Sequence, residues 1–258
     1  MGALADNLIS YWKMDESSDG SGAVTRNDSH STNHLTDNNT IASGTGIISN
    51  GADIEKDNTE FLSVADNASL SITGDYSISL WYKPETAPVS DQAHALFSKS
   101  IAEYHLDYEN GAPGGLRLRC WNNSNPAIQA VDLGTGTFKH IVLVYSDSGD
   151  TATFYVNASS IGAPAQTSNP TDSTNDLRLG RRGGSADMYA DGIIDEVGLW
   201  NRALTSDEVT SLYNGGAGFA YPFTPASSIK TINGLAKASV KTMDGLAIAS
   251  VKTWDGLA

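Results

Sequence analysis

The stretch Glu103-Tyr104-His105-Leu106-Asp107-Tyr108-Glu109 sets carboxylates at i, i+4 and i+6, a spacing that places Glu103, Asp107 and Glu109 on one face of a strand. Two carboxylates facing a groove are what glycosidic-bond hydrolysis requires. Here Glu109 adjoins Asn110-Gly111, a turn signal, and the three acids read as a solvated strand face. Trp121-Asn122-Asn123-Ser124-Asn125 offers other chemistry, a flat apolar ring followed by planar amides, which suits the face and the hydroxyls of a sugar. Trp121 and Asn122, with Tyr104 and Arg181 beside them, form a candidate ligand-binding set, with His94 and Arg182 as further neighbours. The alternative is a loop whose tryptophan packs on a sheet edge. No serine elbow, phosphate loop or dinucleotide fingerprint is present, and His30/His34, the one histidine pair at metal spacing, sits in a polar loop. The chain reads as non-enzymatic.

Asp195 alternates with Ile193, Val197 and Leu199, so its carboxylate points where apolar side chains point and needs a partner. The candidates are a backbone cap, an arginine such as Arg202, and a bound cation. Calcium takes oxygen ligands from flexible loops, and Asn27-Asp28-Ser29-His30-Ser31-Thr32-Asn33 is such a loop. The candidate calcium set is Asp195, Asp28, Asn33 and Asp15.

The elements that position these residues sit in a chain of 258 residues with 30 acidic and 16 basic side chains, a net charge of -14. With no basic cluster longer than Arg181-Arg182, phosphate-backbone recognition is excluded. The longest apolar run, Ile141 to Tyr145, is far short of a membrane span, and the first thirty residues carry no basic-then-apolar leader pattern. Cys120 is alone, so no intrachain disulfide forms. From Thr224 on, four lysines and two aspartates make the tail +2, leaving -16 for residues 1–223. The break falls at Tyr221-Pro222-Phe223-Thr224-Pro225, where prolines remove donors and fix φ, and separates domains 1–223 and 224–258.

The first part reads as all-β. Tyr76, Ile78, Leu80 and Tyr82 alternate onto one core face, His140 to Tyr145 is apolar on both faces as a central strand is, and more than ten such runs recur between Gly, Asn, Asp and Ser clusters. Strands so numerous pack as two antiparallel sheets in a sandwich or jelly roll. One helix stands out, Thr205 to Tyr213, opening on a capping box with Glu208 and closing on Asn214-Gly215, its Val209, Leu212 and Tyr213 stripe laid across the end of a sheet.

Leu8 to Glu16, Asp75 to Pro84 and Gly192 to Thr205 together resemble the laminin-G-like jelly rolls of the concanavalin A-like superfamily, and Phe138 to Tyr145 is similar to a further strand of that family. The resemblance implies a sandwich over residues 4–217 and, since members often carry a structural calcium between an N-terminal loop and the penultimate strand, it favours calcium at Asp195. The family's loop glycines are replaced here by His30 and Thr32. Hydrolases on this sandwich carry acids at i, i+2 and i+5, which residues 103–109 do not reproduce.

Residues 229–258 repeat with a period of eleven, Ile229 to Ser239, Val240 to Ser250 and Val251 to Ala258. Asn233-Gly234, Asp244-Gly245 and Asp255-Gly256 are two-residue hairpin signals, which makes the tail a small β-hairpin repeat region. So small a meander must lean on another surface, which assigns Val240, Met243, Leu246, Val251 and Trp254 to assembly. The tail resembles those of phage structural proteins. The resulting expectation is a non-enzymatic virion component, a decoration or fibre protein and homo-oligomer, whose partners are other capsid or fibre chains. The alternative is an extracellular adhesin or lectin module that binds cell-surface glycans.

Overall fold

A computed structural model describes residues 4–111, 115–123, 125–183 and 188–224 and, further on, the backbone of residues 231–232, 235–236, 242–243 and 246–247. The chain divides into two compact units, residues 1–222 and 223–258.

The first unit is two antiparallel eight-stranded sheets. One holds β1 (Leu8–Trp12), β4 (Ala42–Thr45), β5 (Asn50–Ile54), β7 (Tyr76–Pro84), β12 (Lys139–Ser146), β13 (Thr151–Val156), β14 (Ser159–Gly162) and β16 (Gly192–Trp200), ordered β14-β13-β12-β7-β16-β5-β4 with β1 also on β16. The other holds β2 (Thr25–Arg26), β3 (Leu35–Asn38), β6 (Phe61–Val64), β8 (Gln92–Ser98), β9 (His105–Gly111), β10 (Gly115–Asn122), β11 (Asn125–Ala130) and β15 (Leu177–Leu179), ordered β11-β10-β9-β8-β15-β6-β3-β2. The alternation read from the sequence explains the layers. Tyr76, Ile78, Leu80 and Tyr82 of β7 and Ile141, Leu143 and Tyr145 of β12 meet Leu106, Tyr108, Leu118, Leu177 and Leu179 of the facing sheet in one core.

The helix α1 (Ser206–Tyr213) has the expected capping box between Thr205 and Glu208 and ends on Asn214 at φ 48°. It covers a sheet face, where an end had been expected. Tyr213 stacks on Trp81 at 5.7 Å and on His140 at 6.1 Å, paired residues of β7 and β12 that point away from the core. One outer surface of the sandwich is therefore roofed in this region, and burial of His140 there pushes its imidazole down to about 3.

Strand β16 breaks phase at Asp195. Its first residues pair with β5 and its last with β1, and between them a bulge puts Glu196 at φ 49°. Ile194, Val197 and Leu199 face the core, whereas Asp195 keeps step with Ile193 on the other side. The simple alternation that grouped Asp195 with Val197 and Leu199 fails because the extra residue resets the period. In the second unit, Thr231–Ile232 pairs with Leu235–Ala236 and Thr242–Met243 with Leu246–Ala247, antiparallel ladders that flank Asn233-Gly234 and Asp244-Gly245. Each pair is a separate two-stranded sheet. Val240, Val251, Trp254 and the third repeat lie outside the described residues.

Candidate functional site

The chemistry of the sandwich gathers on the outer face of the second sheet. Because Leu106 and Tyr108 of β9 and Leu118 and Cys120 of β10 point into the core, the residues between them, His105, Asp107, Glu109, Arg117, Arg119 and Trp121, point out. The register aligns them in rows. Trp121 is opposite His105, His105 opposite Ser98, Ser98 opposite Arg178, and Arg178 opposite Ser63. The next rows pair Arg119 with Asp107 and Ala95, then Arg117 with Glu109 and Ala93. The small residues of β8 form a strip beside this ridge of charged and aromatic side chains, and that strip is itself covered. Gly183 donates its N–H to Ser98 Oγ at 3.1 Å, which pins the segment after β15 over this strip and brings Arg182 to 5.7 Å from the Trp121 ring centroid.

The expectation that Glu103, Asp107 and Glu109 form a solvated face is corrected by their burial. Glu103 precedes β9 and binds Lys99 Nζ at 2.7 Å inside a separate ion cluster with Asp66. Asp107 is fully buried, with His105 Nε2 2.6 Å from one oxygen and Arg119 2.6 Å from the other. Burial alone would raise its pKa, but His105 and Arg119 outweigh that and hold the carboxyl below the usual range. Glu109 is forked by Arg117 at 2.7 Å and Arg119 at 2.6 Å. Gly111 permits this, since a Cβ there would lie 2.1 Å from the Arg117 guanidinium. Asp107, held ionised between His105 and Arg119, has no proton to donate as a general acid. Asp107 and Glu109 fix Arg119 over the Trp121 ring, 5.3 Å from its centroid. Trp121 is half-buried, and its Nε1–H has no hydrogen-bond partner among the described residues.

Of the candidate ligand set, Trp121 and Arg181 lie toward this face and Tyr104 and Asn122 do not. Tyr104 is wholly buried and donates to Leu70 O at 2.7 Å, and Asn122 is wholly buried against Tyr76 Oη at 2.7 Å. Both were misplaced because they flank outward residues, and strand alternation turns them inward. His94 is likewise internal, bonded to Tyr82, and burial pushes its imidazole down to about 4. Arg181 lies 4.9 Å from the Phe61 ring centroid and 5.1 Å from that of Tyr189. The alternation Leu116-Arg117-Leu118-Arg119 facing Asp107 and Glu109 was present in the sequence, but strand pairing was needed to join the two segments.

The candidate calcium residues fall into separate arrangements. Asp195 accepts from the N–H groups of Ile47 at 2.8 Å, Ile48 at 3.1 Å and Glu196 at 2.9 Å, so it caps the turn between β4 and β5. Arg202 is not its partner, since its guanidinium forks onto Glu208 at 2.7 and 2.8 Å. Gly46 stands where a Cβ would meet an Asp195 oxygen at 2.5 Å. Burial first, then the neighbouring Glu196, pushes the Asp195 carboxyl up to about 8. Glu196, missed in the sequence, is raised to about 7, chiefly by burial, and accepts from Tyr11 Oη at 2.5 Å. Asp28 and Asn33 do come together, with Asp28 taking N–H groups from Tyr11, His30, Ser31 and Asn33 at 2.9 to 3.1 Å. Asp15 lies near enough to Glu196 to raise its pKa. Among the described residues the acids spaced to share an ion are Asp53, Glu55 and Glu85, a different set. Elsewhere the surface offers hydroxyl-lined hollows, such as one of about 490 Å³ bounded by Ser17, Ser18, Asp19 and Ser43, without an aromatic ring.

A family profile described as the concanavalin A-like lectin/glucanases superfamily matches residues 56–210. No curated protein sequence matches the chain significantly. Among solved structures, domain 4 of AbnA, an extracellular arabinanase of Geobacillus stearothermophilus in complex with arabinotriose, is 20% identical with a TM-score of 0.61, the match covering 79% of this chain and 97% of that one. The binding domain of Paraclostridial Mosquitocidal Protein 1 is 15% identical with a TM-score of 0.63, over 83% of this chain and 53% of that one. Trypanosoma rangeli sialidase is 13% identical with a TM-score of 0.56, over 84% of this chain and 34% of that one. This chain therefore spans about half of the mosquitocidal domain and a third of the sialidase.

Proposed function

We propose that this chain, which belongs to the concanavalin A-like lectin/glucanases superfamily, is a non-catalytic module that binds carbohydrate on the outer face of its second sheet. The observation that carries this reading is the half-buried Trp121, with Arg119 and Arg182 near its ring and its Nε1–H without a hydrogen-bond partner among the described residues, beside carboxylates that position Arg119. A flat ring with fixed donors beside it holds one face of a pyranose or furanose and leaves its hydroxyls to the guanidiniums. The arabinotriose complex of the AbnA domain supports the reading at the level of fold. It takes the place of the virion-decoration reading, which has no counterpart among these structures.

Affinity electrophoresis through gels containing plant, bacterial and animal polysaccharides tests it. At least one polymer class should retard the protein, and Trp121→Ala should weaken that binding about tenfold, equivalent to about 1.4 kcal/mol. Retardation by no polymer would overturn the proposal. Release of reducing ends that disappears in Asp107→Asn would instead make the chain a hydrolase.

A further inference from the structure

The chain has seven arginines, and five of them, Arg117, Arg119, Arg178, Arg181 and Arg182, converge on the outer face of the second sheet. This concentration sits on a domain whose residues 1–223 carry a net charge of -16, so it is a local inversion of the field. Pairing divides the five. Arg117 and Arg119 are neutralised by Glu109 and Asp107, and Arg178 has one loose contact, 3.6 Å from the half-exposed Asp176. Arg181 and Arg182 have no carboxylate within ion-pair distance among the described residues. Arg182 is only 9% exposed, and the Nε atoms of Arg178, Arg181 and Arg182 are buried without a hydrogen-bond partner among the described residues. Arg182 Nη1 donates only to Met188 Sδ, at 3.1 Å, and a guanidinium this desolvated with so weak an acceptor is costly to hold unless an anion completes it.

The remaining contacts shape the position. Arg181 and Arg178 lie 4.9 and 5.5 Å from the Phe61 ring centroid, and an antiparallel bridge between Arg181 and Tyr189 brings a second ring to Arg181. Arg182 reaches the other way, to Trp121. Adjacent strands are about 4.8 Å apart, so the three spacings from Trp121 through His105 and Ser98 to Arg178 span about 14 Å. Ser98 and His105 in the middle of this row are covered, and the half-buried side chains Trp121 at one end and Phe61, Arg178 and Arg181 at the other are what the face presents.

We infer that the saccharide this face takes is anionic, a chain of carboxylate-bearing sugars whose acid groups are forked by Arg181 and Arg182. The planar guanidinium matches a carboxylate two bonds at a time, and Arg181 is the half-buried one of the two, open to an incoming acid group. The inference rests on the carbohydrate-binding reading and adds the charge of the ligand.

The experiment compares polygalacturonate with its fully methyl-esterified form, the same chain without the charge, and adds alginate and dextran sulfate. Isothermal titration with oligosaccharides of each should show polygalacturonate or alginate bound at least tenfold more tightly than the ester, with affinity falling as salt is raised. Arg181→Gln and Arg182→Gln, each checked for an unchanged melting curve, should remove that preference. Arg181→Lys, which keeps charge without the fork, should recover only part of it. Equal binding of ester and acid, or equal losses for both in the arginine variants, would overturn the inference and leave the carbohydrate-binding proposal standing. Tighter binding of dextran sulfate would replace the carboxylate assignment. Binding of none of these, nor of any neutral polysaccharide, would overturn both.

Discussion

Asp107→Ala should lower the stability of the sandwich by about 3 kcal/mol, because it takes from His105 and Arg119 the carboxylate buried between them and leaves Arg119 to Glu109 alone. In a domain this size, that is a fall of about 10 °C in melting temperature. The double variant Asp107→Ala/Arg119→Ala should lose at least about 1 kcal/mol less than the two single changes added together, since each single change already breaks the bond between them. Differential scanning calorimetry of the four proteins decides it. Additive losses, or a shift under about 2 °C for Asp107→Ala, would mean that Asp107 does not hold Arg119 in place.

Between pH 6.5 and 8 the folded protein should lose stability, and Asp195→Asn should flatten the loss. In the fold the Asp195 carboxyl is raised to about 8 by burial and by Glu196, against an ordinary value of 3.8. Its native form holds a proton that the unfolded chain has released, so its contribution is complete below pH ~4 and gone once the pH passes 8. Glu196, raised to about 7, acts in the same direction. His94 and His140, lowered to about 4 and about 3, oppose this below pH 6.5, where unfolding lets them take up protons. Above 6.5 that uptake fades, and the carboxylates set the slope. Urea titrations at half-unit intervals should show the wild-type protein losing about 1 kcal/mol across that window and Asp195→Asn losing less than half as much. Parallel pH profiles would show that Asp195 is ionised in the fold.

The layers of the sandwich were legible because strands with one core face write a period of two into the sequence, as in Tyr76 to Tyr82, and because the helix carries its own capping signals at Thr205 and Glu208. Asp195 shows where that reading stops. One inserted residue in β16 reverses every face after it, and nothing in Asp195-Glu196-Val197 announces a bulge. The site was harder still. Trp121 was recognised by type, but Asn122 beside it turns inward on the same strand, and the arginines that complete the face come from β10, β15 and the segment beyond it. Such convergence depends on pairing between residues eighty or more apart in sequence, as in Ser98 against Arg178 and Gly183 against Ser98. The carboxylates of β9 looked solvated because their partners, Arg117 and Arg119, are named only by the register with β10.

The central claim is that carbohydrate lies against Trp121. The most direct test is a titration followed by the indole N–H resonances in an amide correlation spectrum. Trp121 is identified by its absence from Trp121→Phe, and the saccharide is the one that retards the protein most strongly. The Trp121 Nε1–H, without a partner among the described residues, should shift progressively and saturate. Those of Trp12 and Trp200, which donate to Asn33 O and Leu4 O inside the sandwich, should stay in place. A saturable shift elsewhere with Trp121 unmoved would place the binding surface off the second sheet.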